Sequence, residues 1–280
     1  MTAAAALADV APEPGVAKPD PVLVLDGVRK DFGGMRAVDV EHLEVQRNVI
    51  TGLIGPNGAG KTTLFNVLTG FETPTAGSWT FDGRAAAGLP AHRLARRGMV
   101  RTFQLTRVLS RLTVLENMTL AATGQRGERF LPALLRPLWA AQQADIERRA
   151  DELLERFLLA DKRDDYAGYL SGGQRRLLEM ARALMVDPAF VLLDEPMAGV
   201  NPALRQDLLS RIRQVRDSGR SVLFVEHDMD VVMDVSDWVV CMAEGRIIAE
   251  GPPAAIAGNP AVIDAYLGSQ HDEPDFRERP

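Results

Sequence analysis

Residues 55–63 read Gly-Pro-Asn-Gly-Ala-Gly-Lys-Thr-Thr and match the pattern G-x-x-x-x-G-K-[ST], which wraps the phosphates of a nucleotide. Its glycines can adopt backbone angles closed to other residues, so successive N–H groups can point at phosphate oxygens. Lys61 adds a positive charge for the terminal phosphates, and the Thr62 hydroxyl suits a magnesium ion. We expect the whole run to bind the nucleotide, namely Gly55, Pro56, Asn57, Gly58, Ala59, Gly60, Lys61, Thr62 and Thr63.

The segments that flank this loop supply the context that such a site needs. The apolar run 49–54 predicts a strand, and residues 63–69 predict a helix that ends at Gly70. The positive end of that helix would face the phosphates. A chance match is the alternative, and the strand–loop–helix order argues against it.

The composition is ordinary for a soluble globular protein of 280 residues, with 46% hydrophobic and 25% charged residues. A formal net charge of −6 gives no basic footprint for nucleic acid, so we expect no nucleic-acid partner. Cys241 is the single cysteine, which fits a reducing cytosol. No apolar stretch approaches the roughly 20 residues that span a bilayer, so any membrane role would come through a partner.

The two ends of the chain differ in composition from the rest. Residues 1–20 are rich in Ala and Pro without a cationic start, which predicts a disordered leader and not a secretory signal. Residues 270–280 are polar and predict a loose tail. We therefore place one folded domain at 21–269.

Within this domain the hydrophobic patterns predict an α/β fold. Short alternating runs at 22–25, 42–45 and 78–81 favour an antiparallel edge sheet, and the apolar runs at 49–54, 190–193 and 221–225 favour buried parallel strands. Two further strand-like runs lie at 238–242 and 246–250. Helical periodicity dominates the middle of the chain. These patterns predict a core formed by 21–90 and 171–269, interrupted by a helical subdomain at about 91–170.

An acidic pair, Asp194-Glu195, follows the apolar run at 190–193. A buried strand would deliver both carboxylates to its C-terminal end, where ligands gather in open α/β sheets. Asp194 could hold the magnesium, and Glu195 could polarise an attacking water. Alone, such a pair is often a turn, but a phosphate loop upstream favours the catalytic interpretation.

The run Leu-Ser-Gly-Gly-Gln at 170–174 is the second sharp signal. Ser171 and the glycines could be a plain helix cap and turn, but that does not explain the order of all five residues. Together with the phosphate loop and the acidic strand, this run resembles the signature motif of ATP-binding-cassette (ABC) ATPases. The resemblance extends over about 22–268 and implies a P-loop NTPase core of ABC type, with a mixed sheet, an antiparallel β subdomain and a helical subdomain.

The resemblance also implies how the site is completed. In this family two cassettes pair head to tail, as homo- or heterodimers, with ATP and Mg²⁺ between them. The signature residues would then bind the γ-phosphate of the partner's ATP, and they are Ser171, Gly172, Gly173 and Gln174.

Three single residues take roles from the same resemblance. Gln104 matches the glutamine that contacts magnesium or the attacking water, and His227 matches the switch histidine at the γ-phosphate. Phe32 lies where the family stacks an aromatic ring on adenine, which Phe can do through its π-face. Taken alone, Gln104 and His227 would be surface residues and Phe32 a core residue.

After Glu195 the chain departs from the usual Ser-Ala-Leu-Asp and reads Ala-Gly-Val-Asn-Pro at 198–202. Asn201 keeps hydrogen-bonding capacity but has no charge, which puts strict coupling of the two sites in doubt. This loop, a helical insertion at 124–150 and the ending at 258–268 are similar to the ATPases that import branched-chain and other hydrophobic amino acids. That similarity implies ATP hydrolysis at the cytoplasmic face of the membrane, with transmembrane permease subunits and, indirectly, a solute-binding protein as partners.

The permease would dock near 103–118, with Leu105, Val108, Leu109 and Leu112 as candidate contacts, although ordinary core leucines are an equal alternative. Other functions also stay open at this point. They are a urea importer, an exporter of lipid or lipopolysaccharide, and a soluble ABC ATPase that acts on nucleic acid or ribosomes.

Overall fold

The computed structural model of the chain describes residues 3–102, 108–125 and 139–271. Its strands are β1 Pro21–Phe32, β2 Met35–Gln46, β3 Ile50–Ile54, β4 Ala76–Phe81, β5 Arg84–Ala85, β6 Met99–Arg101, β7 Phe190–Asp194, β8 Ser221–Val225, β9 Trp238–Ala243 and β10 Arg246–Gly251. Its helices are α1 Lys61–Leu68, α2 Ala91–Arg96, α3 Val114–Ala121, α4 Ala140–Arg156, α5 Gly172–Leu184, α6 Pro202–Asp217, α7 Met229–Val235, α8 Pro253–Ala257 and α9 Pro260–His271. Short 3-10 turns lie at Ala5–Leu7, Ala160–Lys162 and Ala167–Tyr169.

The larger sheet has the strand order β10-β9-β3-β8-β7-β6. All neighbours in it are parallel except β9 and β10, which form an antiparallel hairpin. Every residue of β3, β7 and β8 is buried, as the apolar runs predicted. Since parallel strands end at one edge, the loops after β3, β7 and β8 meet there.

The smaller sheet is antiparallel, with the order β2-β1-β4-β5. β1 and β2 form a long hairpin whose alternating burial puts one face against the core. A hydrophobic cluster that includes Trp79, Phe81, Phe65 and Trp238 fills the space between the two sheets. The second core lies on the other face of the larger sheet and continues into the helical segment. The predicted fold class, a mixed α/β core with an antiparallel subdomain and a helical part, is therefore confirmed.

The boundary of the helical segment differs from the prediction. β6 lies inside 91–170 but pairs with β7 at the edge of the larger sheet, so the core extends to Arg101. A strand of three residues is too short to show an alternating pattern, which explains why the sequence did not reveal it.

The expectation of a disordered leader at 1–20 is wrong for the described residues 3–20. Leu7 is buried in the cluster between the sheets, and Lys18 forms an ion pair of 2.8 Å with Glu250 of β10. The Glu250 carboxylate also accepts hydrogen bonds from the Gly15 and Trp238 N–H groups. Composition alone predicts disorder here because it does not show that a buried glutamate in β10 needs these donors.

At the other end, α9 includes residues 270 and 271 of the predicted tail, and 272–280 lie outside the described residues. Among the described helices, none is long and apolar enough to cross a bilayer.

Candidate nucleotide site

The phosphate loop connects the buried strand β3 to α1, as the motif predicted. Gly55 has φ +147°, and a Cβ there would lie 2.0 Å from the Met242 carbonyl oxygen of β9. Gly60 has φ +96°, and a Cβ there would lie 2.3 Å from the Ala37 carbonyl oxygen. These two positions therefore need glycine both for conformation and for space.

The loop lysine is folded back on its own loop. Lys61 Nζ donates to the carbonyl oxygens of Gly55, at 2.6 Å, and Pro56, at 2.9 Å. Burial lowers the pKa of this ammonium, and the nearby Glu195 charge acts in the opposite direction. A phosphate that enters the loop would offer Lys61 a charged partner in place of two neutral carbonyl groups.

Glu195 and His227 meet at the ends of the neighbouring strands β7 and β8. Glu195 Oε1 lies 2.9 Å from His227 Nε2, and the Glu195 N–H donates to the Val225 carbonyl. Glu195 has a positive φ of 46°, which turns the chain sharply after Asp194. The two predicted catalytic side chains are thus adjacent, in a position where one can orient the other.

Asp194 is buried and binds a residue that the sequence analysis missed. Its Oδ2 accepts a hydrogen bond of 2.6 Å from Arg101 at the end of β6. The Arg101 guanidinium also donates to Asn66 Oδ1 and Thr69 Oγ1 of the α1 region. This arginine joins the acidic strand to the helix of the phosphate loop, and it comes three residues before Gln104.

Glu226 is a second residue that the sequence did not reveal. Its carboxylate is buried and accepts from the N–H groups of Met197, at 2.7 Å, and His227, at 3.3 Å. Burial raises its pKa. Glu226 thereby ties the turn after Glu195 to the backbone of the predicted switch histidine. The one local signal for Glu226 is its position beside His227.

The signature begins α5 with a reciprocal cap. Ser171 Oγ accepts from the Gln174 N–H at 3.2 Å, and Gln174 Oε1 accepts from the Ser171 N–H at 2.9 Å. Ser171 and Gly172 are exposed, and Gly173 is buried against Leu204 of α6. The cap and the first residue of α5 are therefore exposed to solvent.

The other predicted positions are Phe32, Asn201, Thr62, Thr63 and Gln104. Phe32 ends β1 with 43% of its surface exposed, and Lys30 Nζ lies 4.8 Å from its ring centroid. Asn201 is exposed just before α6, and Thr62 and Thr63 lie in the first turn of α1. Gln104, predicted to contact magnesium or water, lies outside the described residues, as does Leu105.

The chain matches two protein families. Residues 38–198 match the ABC transporter family, and residues 246–272 match the branched-chain amino acid ATP-binding cassette transporter family. The chain is 42% identical over 250 residues to the high-affinity branched-chain amino acid transport ATP-binding protein BraF of Pseudomonas aeruginosa, covering 89% of this chain and 98% of that protein. It is 40% identical over 250 residues to the corresponding protein LivG of Escherichia coli K12, with the same two shares of coverage.

Solved structures agree with these sequence matches. The crystal structure of MJ1267, an ATP-binding cassette of an ABC transporter in its ADP conformation, superimposes with a TM-score of 0.76 at 34% identity, covering 89% of this chain and 99% of that one. CbiO1 of Clostridium perfringens, part of the ABC transporter complex CbiONQ, gives a TM-score of 0.74 at 25% identity, with 87% and 93% coverage.

Proposed function

Because this chain belongs to the ABC transporter family of ATP-binding ATPases, we propose that it drives an importer of branched-chain or other hydrophobic amino acids. The match of its C-terminal residues 246–272 to the branched-chain group is the observation that carries this assignment. Similarity over nearly the whole length of BraF and LivG supports it.

The residues of the site suggest how the chain hydrolyses ATP. The loop N–H groups and Lys61 hold the terminal phosphates, and Glu195 accepts a proton from the attacking water. His227 orients the Glu195 carboxylate through their 2.9 Å contact and reaches the γ-phosphate. Glu226 holds the backbone of both catalytic turns in place.

Magnesium fits the donors that these elements present. The Thr62 hydroxyl and the Asp194 carboxylate are oxygen ligands of the kind that Mg²⁺ prefers, and among the described residues Arg101 bonds to Oδ2 of that carboxylate. The ion would neutralise charge on the terminal phosphates. Gln104 is a further proposed ligand.

Two kinds of protein partner follow from this proposal. A second ATPase subunit would bring its signature to the ATP held here, while Ser171–Gln174 of this chain reach the partner's ATP at a helix N-terminus.

Permease subunits would place the chain at the cytoplasmic face of the membrane. Among the described candidates for permease contact, Leu109 is 42% exposed. The buried Asn117 side chain fixes the Leu109 backbone, because it accepts a hydrogen bond from the Leu109 N–H and donates one to the Leu109 carbonyl oxygen.

Glu195→Gln tests the ATPase proposal. The amide keeps the size of the side chain but cannot accept the proton, so the rate should fall about 10²- to 10⁴-fold while ATP still binds. Light scattering should then show an ATP-dependent dimer that persists. Glu155→Gln, at an exposed position of α4, is the matched control. A wild-type rate in Glu195→Gln would refute the role of Glu195.

Uptake by whole cells tests the transported solute. Cells whose only copy of the chain is Glu195→Gln should lose uptake of labelled leucine and keep uptake of urea. Loss of urea uptake alone would assign the chain to a urea importer instead.

A further inference from the structure

The C-terminal helix α9 contains no residue of the nucleotide motifs, yet it packs close to the phosphate loop. Val262 and Tyr266, four residues apart, lie on one face of this helix and pack against the core of the larger sheet. Ile263 and Leu267, each one position further along the helix and so about 100° around it, are exposed to 45% and 55%. The helix therefore has a defined inward face, and Tyr266 is its polar member.

The Tyr266 hydroxyl reaches the phosphate loop. It accepts a hydrogen bond of 2.9 Å from the N–H of Gly55, the first residue of the loop, across 211 positions of sequence. Burial raises the pKa of this phenol to about 12, so the hydroxyl stays neutral at physiological pH.

The peptide groups on both sides of Gly55 are then fixed. Its N–H is held by Tyr266, and its carbonyl accepts from Lys61 Nζ at 2.6 Å. Its Cα lies so close to the Met242 carbonyl of β9 that a side chain would not fit. Tyr266 thus fixes the N–H group at the start of the loop. Lys61, which would meet the phosphate, donates its hydrogen bond to the carbonyl oxygen of the same glycine.

We propose that Tyr266 is a positioning residue for nucleotide binding, through which α9 holds the phosphate loop in its binding conformation. A loop that is already held in one conformation loses no further conformational entropy when ATP binds. When the loop is released, only a fraction of the molecules has the binding conformation, and the apparent affinity for ATP falls in proportion to that fraction. The role gives the C-terminal segment 246–272 a function at the ATP site. It rests on the ATPase function proposed above.

Tyr266→Phe removes the hydroxyl and keeps the ring that packs against the core. We expect the Kd for a non-hydrolysable ATP analogue, measured by calorimetry, to rise about 3- to 10-fold, which is the range of one hydrogen bond. The KM for ATP should rise by a similar factor with kcat within about twofold. Amide hydrogen exchange at residues 55–60 of the nucleotide-free chain should become faster.

Two controls separate positioning from general stability. Tyr169→Phe makes the same change at a side chain that is 83% exposed. Ile256→Val removes a buried methyl group of α8 and lowers stability without a bond to the loop. Both should keep the wild-type Kd and the wild-type exchange at 55–60.

The proposal is overturned if Tyr266→Phe binds the analogue with wild-type affinity, or if Ile256→Val weakens binding equally. A wild-type chain that binds no nucleotide would instead overturn the proposed ATPase function, and this inference with it.

Discussion

Replacing Lys18 by Met should release the N-terminal segment and destabilise the whole chain. Lys18 Nζ lies 2.8 Å from Glu250 Oε2, and both side chains are fully buried. The same ammonium donates to the Val16 carbonyl at 2.9 Å and lies 4.7 Å from the Trp238 ring centroid. Methionine has a similar length and fills the space, so the variant removes the charge and little packing.

The size of the effect follows from what remains around Glu250. Breaking a buried ion pair by removing one partner costs about 3–5 kcal/mol, because the other charge stays buried. The carboxylate keeps three N–H donors, from Gly15, Val16 and Trp238, which offset part of this cost. We therefore expect the lower end, about 3 kcal/mol. For a chain of this size that lowers the melting temperature by about 6–12 °C.

Calorimetry measures the shift, and amide exchange locates it. The N–H groups of Gly15 and Val16 should lose protection in Lys18→Met before the strands of the larger sheet do. Lys162→Met, which breaks exposed ion pairs with Asp161 and Asp165, should leave the melting temperature unchanged. Adding Glu250→Gln to Lys18→Met should recover part of the loss, because the unpaired charge is gone. A melting temperature of Lys18→Met equal to that of Lys162→Met would refute the reasoning.

Two further predictions concern the larger sheet and its loop. Lys61→Ala should weaken ATP binding at least about tenfold with an unchanged circular dichroism spectrum, and unchanged binding by calorimetry would contradict the role of the loop. Burial raises the pKa of the Cys241 thiol from 9.0 to about 12. The native chain should therefore resist alkylation at pH 8, and rapid labelling of the folded chain would contradict this burial. Because the unfolded thiol loses its proton first, the free energy of unfolding should fall as the pH rises above 9, and Cys241→Ala should show less of this fall.

The parts of the molecule that local sequence determines were predictable. β3, β7 and β8 are mostly apolar runs, and their order of parallel pairing brings Glu195 and His227 to one edge. That contact could be expected from strand ends alone, since carboxyl ends of neighbouring parallel strands lie together. The phosphate loop needed no more than its own residues and flanks.

The buried ion pairs could not be predicted from the sequence, because their two members lie far apart in the chain. Arg101 binds Asp194 across 93 positions, and Lys18 binds Glu250 across 232. No local pattern marks these residues, because a buried charge is defined by what folding places around it. The same reason explains the order of the N-terminal segment, and no local pattern marks Glu226 after β8 or Tyr266 in α9.

The cap at the start of α5 has a consequence for how the signature serine is studied. A hydroxyl group accepts and donates hydrogen bonds simultaneously, so Ser171 can cap its helix while its proton points outward. Removing the hydroxyl would loosen the first turn of α5 and remove an outward donor in a single step. Any loss of activity in an alanine variant therefore combines helix stability with recognition, and threonine is the replacement that retains both.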